Sequence, residues 1–245
     1  MKYNAIKFFQ DNSNKKYTPP ELPKNLSVIE SARWIMNNDN FAYLKLDLKI
    51  NPIQWSYELG RAEPYYVHHR ESNSEGWMAC CLHGIRTDTT LNWPEYVEEE
   101  KDGIYNWTEI EDKVPIISSF WKYRVPHEKY KRVRFMKLEP QGYIEPHSDA
   151  PGSGYIPGET VDYDPLEQGF PINVAVSHPD SCYMTLENFG TIPFQEGDVY
   201  LINIRHKHSV WNTSDKERIH MIGFIVPGNK KQEVAELIVR SYLQQ

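Results

Sequence analysis

Apolar and polar positions along this chain follow two periods, and the change from one to the other divides it. After a polar, proline-rich stretch at residues 11–25, Ile29, Ala32, Arg33 and Met36 recur at helical spacing. Ser27 and Glu30 stand ahead of them at the separation of a capping box, which predicts a helix from Ser27. Residues 41–49, FAYLKLDLK, alternate with a period of two, as a strand does. GWMACCLHGI, residues 76–85, is a second apolar run and reads as a buried strand. The section from Asn92 to Arg124 opens on NWPE, a cap followed by a proline in a first helical turn with acidic residues behind it.

From Lys131 strands dominate. KRVRFMKL is predicted to end at EPQG, residues 139–142, a turn with proline second and glycine fourth. PINVAVS, CYMTLE, GDVYLINIRHKH and RIHMIGFIV follow, with NFG and QEGD as turn signals between several of them. Short strands at such close spacing predict an antiparallel sandwich or barrel. Helical period returns in KKQEVAELIVRSYLQQ, which puts Val234, Leu237, Ile238 and Tyr242 on one side. The expectation is an α+β chain, mainly β, forming one domain over residues 1–245. Within it, 1–130 supply helices and strands, 131–228 a jelly-roll core, and 229–245 a C-terminal helix.

Composition narrows the function classes. The 245 residues carry a formal net charge of −7, which argues against broad contact with a nucleic-acid backbone. The nearest approach to a basic run, KYKRVR, alternates with apolar positions and reads as the exposed face of a strand. Three cysteines with no Cys-x-x-Cys suggest buried thiols in a reducing compartment. The N-terminal MKYNAIKFFQDNSNKK lacks the apolar core of a signal peptide. No stretch approaches the roughly 18 apolar residues that would span a bilayer. A cytoplasmic chain is expected, with no membrane and no nucleic-acid partner.

Two His-x-Asp pairs are the candidate chemistry: His147 with Asp149, and His178 with Asp180. With 9 histidines in the chain, about one such pair is expected by chance, so the pair alone decides nothing. A mononuclear non-haem Fe(II) site needs two imidazoles and a carboxylate on one face of the metal, with the other face open. In a jelly-roll the pair lies beside an early strand and the third ligand on a late one. About four strands of roughly 8–12 residues each, turns included, must fit between them. His147 precedes His208 by 61 residues, which holds those strands, whereas His178 precedes it by only 30. HPD at 178–180 also carries an ordinary turn signal, so His178 and Asp180 read as a turn.

The distal ligand has two candidates, His206 and His208. SVWNTSDKE behind them has a loop composition, which makes His208 the end of one strand and Arg218 the start of its hairpin partner. On that partner Arg218, His220, Ile222 and Phe224 share a side. An arginine buried beside a metal needs an anion, which a dicarboxylic cosubstrate supplies; otherwise it pairs with a nearby acid such as Asp215 or Glu217.

PHSD, His208, and an arginine ten residues on resemble the Fe(II)/2-oxoglutarate-dependent dioxygenases. GWMACCLHGI, PIISSFW and MKLEPQGYIEPHSD, in that order, look like the aspartyl/asparaginyl β-hydroxylase branch, which also includes free-proline hydroxylases. The resemblance runs from about Trp77 to Val226. It implies a double-stranded β-helix with His147, Asp149 and His208 holding iron and Arg218 gripping the distal carboxylate of 2-oxoglutarate. The best-known vertebrate members of that branch lack the carboxylate ligand, whereas Asp149 is present here. A full triad suits hydroxylation.

Several other residues are candidates. His220 would point at the same distal carboxylate, and Asn173 inward near the cosubstrate. Trp55, Trp77, Arg86 and Arg205 are candidates for contact with substrate. Residues 150–170 form a long Gly/Pro-rich loop behind the metal pair and read as a substrate lid. The function expected is hydroxylation of an unactivated C–H bond of an amino acid or amino-acid residue. Its requirements are Fe(II), 2-oxoglutarate, O₂ and a small-molecule or peptide substrate. The competing readings are a jelly-roll binding module and a cupin-like metal enzyme without 2-oxoglutarate turnover.

Overall fold

A computed structural model describes residues 2–69, 73–88, 104–149 and 163–245. The elements of the N-terminal part are α1 (Lys2–Asn12), α2 (Val28–Asn37), β1 (Tyr43–Lys49), α3 (Pro52–Ala62), β2 (Val67–His68), β3 (Ser74–Gly84), β4 (Asn106–Trp107) and α4 (Pro115–Tyr123). Then come β5 (Lys129–His147), α5 (Pro165–Gln168), β6 (Phe170–Ser177), β7 (Cys182–Leu186), β8 (Gly190–Thr191), β9 (Asp198–Ile202), β10 (His208–Asn212), β11 (Arg218–Val226) and α6 (Lys231–Tyr242). The predicted NWPE helix start lies outside the described residues, as does most of the predicted lid. Among the described residues no helix is long and apolar enough to cross a membrane.

Local chemistry explains where the helices begin. At α2 the capping box forms as predicted: the Ser27 N–H donates to Glu30 at 2.8 Å, and the Glu30 N–H donates to the Ser27 hydroxyl at 3.3 Å. Helix α3, absent from the sequence reading, starts on Asn51, whose side chain accepts from the N–H groups of Ile53 and Gln54. The first turn of α4 has no cap of its own. Its Ile116 and Ile117 N–H groups donate instead to Glu58 of α3, at 3.0 and 2.9 Å.

The strands run in the order β1-β9-β6-β11-β5-β10-β7-β8, with β3 also on β5 and flanked by β2 and β4. Strand β5 changes partners along its length. Its residues 129–138 pair with β11, and Tyr143, Ile144 and His147 pair with β10. The sheet therefore curls so that its two halves face each other. Met136, Ala175 and Tyr200 meet Met184, Leu186 and Val210 in the shared interior, while helices cover the outer face with Ala32, Ile35, Trp55, Trp121 and Leu237. This is the expected double-stranded β-helix in an α+β chain.

Two expectations need correction. EPQG does not end a strand; β5 continues through it as a bend. Gln141 takes a φ of +62°, and a Cβ on Gly142 would come within 2.8 Å of the Glu75 carbonyl. The turn chemistry was read correctly, but the extended chain absorbs it at a corner. Nor are His208 and Arg218 hairpin partners. His208 begins β10, which pairs with β5 and β7, whereas β11 pairs with β5 and β6. Ser209–Asn212, read as loop, is strand, because Val210 is buried and Trp211 packs on Phe9 of α1.

Asn212 fastens this corner. Fully buried, its amide donates to the carbonyls of Leu138, Glu139 and Lys216 at 3.3, 3.0 and 2.8 Å. Asn212→Ala is expected to cost about 2–3 kcal/mol in urea unfolding, since carbonyls at the corner lose their donor. A change within about 0.5 kcal/mol, ordinary for a surface position, would show that the corner holds without it.

Candidate metal centre

His147, the last residue of β5, and His208, the first of β10, are register partners on adjacent strands. Their ring centroids are 4.4 Å apart. Asp149 follows two residues beyond His147, and its N–H donates to the Ile204 carbonyl at 2.9 Å, which ties it to the β9–β10 turn. His147 Nδ1 lies 2.7 Å from the Glu145 carbonyl and His208 Nδ1 2.9 Å from the His206 carbonyl. A carbonyl can only accept, so both rings carry hydrogen on Nδ1 and hold the lone pair on Nε2. Those Nε2 atoms are the ones turned to the carboxylate: Asp149 Oδ2 is 3.7 Å from that of His147 and 3.9 Å from that of His208.

Among the described residues this is the one group of three or more His, Cys, Asp or Glu side chains close enough to hold a metal, with donor atoms within 4.8 Å of one another. His208 is 5% exposed and Asp149 32%, so the group is walled on one side and open on the other. Two imidazole nitrogens and one carboxylate oxygen with an open face fit a mononuclear non-haem Fe(II) ion. His206 stays outside: its Nε2 lies 2.9 Å from the Phe41 carbonyl and its ring packs on Phe189.

Arg218 is fully enclosed, at 2% exposure, and burial pushes its guanidinium down from the usual range to about 10, still cationic at neutral pH. Among the described residues no carboxylate pairs with it, and its Nε has no hydrogen-bond partner. Glu217, one of the acids considered for it, lies 3.4 Å from Lys137, and Asp215 is exposed. A buried cation with an unused donor fits an anionic ligand such as the distal carboxylate of 2-oxoglutarate. The guanidinium meets His220, whose Nδ1 is 2.8 Å from Arg218 NH2 and 2.7 Å from Asn173 Oδ1.

The remaining candidates scatter. Trp77 lines the interior, 6.5 Å from His147 between ring centroids. Arg86 lies beyond the opposite end of β3, with its Nε 2.9 Å from Asp88. Arg205 is used within its own turn, bonded to Asn203 and the Met36 carbonyl. Trp55 is core, packed edge-on against Phe120. Of the predicted lid, residues 150–162 lie outside the described residues; Asp164 caps the short helix α5 and pairs with Arg33 at 2.6 Å. His178 does sit beyond the end of β6 as expected of a turn residue, but its ring reaches His220 at 2.9 Å. Sequence reasoning missed that contact, whose only signal was a histidine just past a strand end.

A double-stranded β-helix with two histidines and an aspartate where its long strand ends, and a buried arginine with no carboxylate among the described residues, has the construction of an Fe(II)/2-oxoglutarate dioxygenase. A family model described as aspartyl/asparaginyl β-hydroxylase matches residues 61–226, more than half the chain. The chain belongs to that family and is an Fe(II)/2-oxoglutarate-dependent oxygenase of the hydroxylase type. No curated protein matches the sequence. Among solved structures it is similar to a viral collagen prolyl hydroxylase of Paramecium bursaria Chlorella virus 1 in complex with 2-oxoglutarate. That likeness has 14% identity and a TM-score of 0.42 over 75% of this chain and 95% of that one. A prolyl-4-hydroxylase of Pseudomonas putida matches at 9% identity and a TM-score of 0.41, over 80% and 98% of the two chains. A 2-oxoglutarate–Fe(II) oxygenase-family oxidoreductase of Burkholderia pseudomallei matches at 12% and 0.40, over 83% and 92%. Likeness at this level concerns general shape, and the chemistry rests on the family and the site.

Proposed function

We propose that this chain hydroxylates an unactivated C–H bond of an amino acid, free or within a peptide. The observation that carries the reading is the pairing of the His147, Asp149 and His208 donor set with a buried Arg218 that has no carboxylate partner among the described residues. In this reading the two Nε2 atoms and the Asp149 carboxylate hold Fe(II), and Arg218 binds the distal carboxylate of 2-oxoglutarate. When bound, these cofactors with O₂ supply the oxidising power: one oxygen atom enters the substrate C–H bond, the other enters succinate, and CO₂ leaves. The protein orients the target carbon and keeps water from the reacting atoms. Trp77, beside His147, offers an apolar wall for that orientation. The family description, which names amino-acid residues as targets, supports the substrate class.

Anaerobic titration with Fe(II) and 2-oxoglutarate, followed by aerobic incubation with free amino acids and short peptides, tests this. Succinate release coupled to a gain of one oxygen atom on one of them, read by mass spectrometry, is the expected result. Succinate formation stimulated by a lipid or a nucleobase, with every amino acid and peptide unoxidised, would overturn the substrate class and leave the iron chemistry standing.

A further inference from the structure

We propose that His178 is a positioning residue for the cosubstrate: through His220 it holds the Arg218 guanidinium in the orientation that receives the distal carboxylate of 2-oxoglutarate. The proposal rests on the reading of Arg218 given above and adds a residue that touches neither metal nor cosubstrate.

Proton bookkeeping along the chain of contacts leads to it. A guanidinium can only donate, so Arg218 NH2, 2.8 Å from His220 Nδ1, requires a lone pair on that nitrogen. The ring hydrogen of neutral His220 must then sit on Nε2. Nε2 lies 2.9 Å from His178 Nδ1, which accepts it. Asn173 Oδ1 lies 2.7 Å from the same His220 Nδ1, and two acceptors cannot share that contact, so the Arg218 contact requires the Asn173 amide to be turned over with its NH₂ toward Nδ1. Both imidazoles are neutral. Burial first, then the Arg218 charge, holds His178 down to about 3 and His220 well below its usual range.

His178 is itself held. Its backbone N–H donates to Glu196 at 3.0 Å, and its ring packs on Phe194, which also meets His220 edge-on with centroids 4.7 Å apart. A turn residue thus supplies the acceptor that selects the tautomer of a fully buried imidazole. Without that acceptor the His220 Nε2–H would be buried and unmet. The proton is better placed on Nδ1, where it donates to the Asn173 oxygen and opposes the Arg218 N–H. The guanidinium then turns from its place. Since its Nε has no partner among the described residues, little else there fixes its aim.

The test uses the full chain loaded with Mn(II) under anaerobic conditions, with calorimetric binding of 2-oxoglutarate and ¹⁵N NMR of the imidazoles. His178→Ala is expected to weaken 2-oxoglutarate about tenfold, the effect of leaving a buried donor unmet, with Mn(II) affinity unchanged. His178→Asn places an oxygen where Nδ1 stood and is expected to restore affinity to within about twofold by keeping that acceptor. His220 should be the Nε2–H tautomer in the unsubstituted protein and in His178→Asn, and shift toward Nδ1–H in His178→Ala. An Nδ1–H tautomer on His220 in the unsubstituted protein overturns the proposal, even where His178→Ala fails to fold. So does unchanged 2-oxoglutarate affinity in His178→Ala while Arg218→Ala loses it. If Arg218→Ala also binds normally, the cosubstrate reading fails instead.

Discussion

Fe(II)-dependent turnover of 2-oxoglutarate is expected to disappear when Asp149 or His208 is replaced by alanine. The proposed coordination has three protein donors, and each substitution removes one of them. Loss of an outer hydrogen-bond partner already costs metal sites about 10–100-fold in affinity or activity, so loss of a ligand itself should exceed that range. The backbone around each residue gives little cause for a folding defect. Asp149 is partly exposed, and the β5–β10 register is set by neighbouring residues as well as by His208. Calorimetric titration with Mn(II) separates loss of metal from loss of chemistry. His178→Ala serves as the control and should keep metal affinity, because its ring contacts His220 and Phe194 rather than the donor group. Metal binding that survives in Asp149→Ala and His208→Ala would remove the proposed centre.

Arg218→Ala carries the second large effect. A charge-assisted bidentate contact contributes about 1.5–3 kcal/mol, which predicts a loss of roughly 10- to 150-fold in 2-oxoglutarate affinity. Metal affinity should hardly move, because Arg218 is in register with Leu138 on β5, on the far side of the bend from His147. Arg218→Lys should recover only part of the loss, since a point charge cannot reproduce the planar fork. Measured on the Mn(II) form without O₂, these values are independent of turnover. An unchanged dissociation constant for 2-oxoglutarate in Arg218→Ala would remove the main support for a cosubstrate at this position. The buried cation would then need another anionic partner.

The parts of this protein legible in its sequence are those set by near neighbours in the chain. The capping box at Ser27 and Glu30 needs only three residues of separation and forms as read. Val234, Leu237, Ile238 and Tyr242 turn inward in α6 because helical period dictates a face. The preference for His147 and Asp149 over His178 and Asp180 came from counting strands that must fit before His208, and strand length is a local property. Sequence alone also carried the family resemblance.

What needed the tertiary structure was choice of partner among strands far apart in the chain. His206 and His208 are alike in composition and spacing. The Phe41 carbonyl, brought in from the N-terminal part, engages the first, while the second faces His147. EPQG reads as a turn wherever it occurs, and it became a bend because β10, β11 and Asn212 hold the two halves of β5 against different partners. The same holds for His178, whose contact with His220 spans 42 residues of sequence. Periodicity records which side of an element is apolar, whereas hydrogen-bond partners across a sheet are set by register and sheet order, which arise only when the strands assemble.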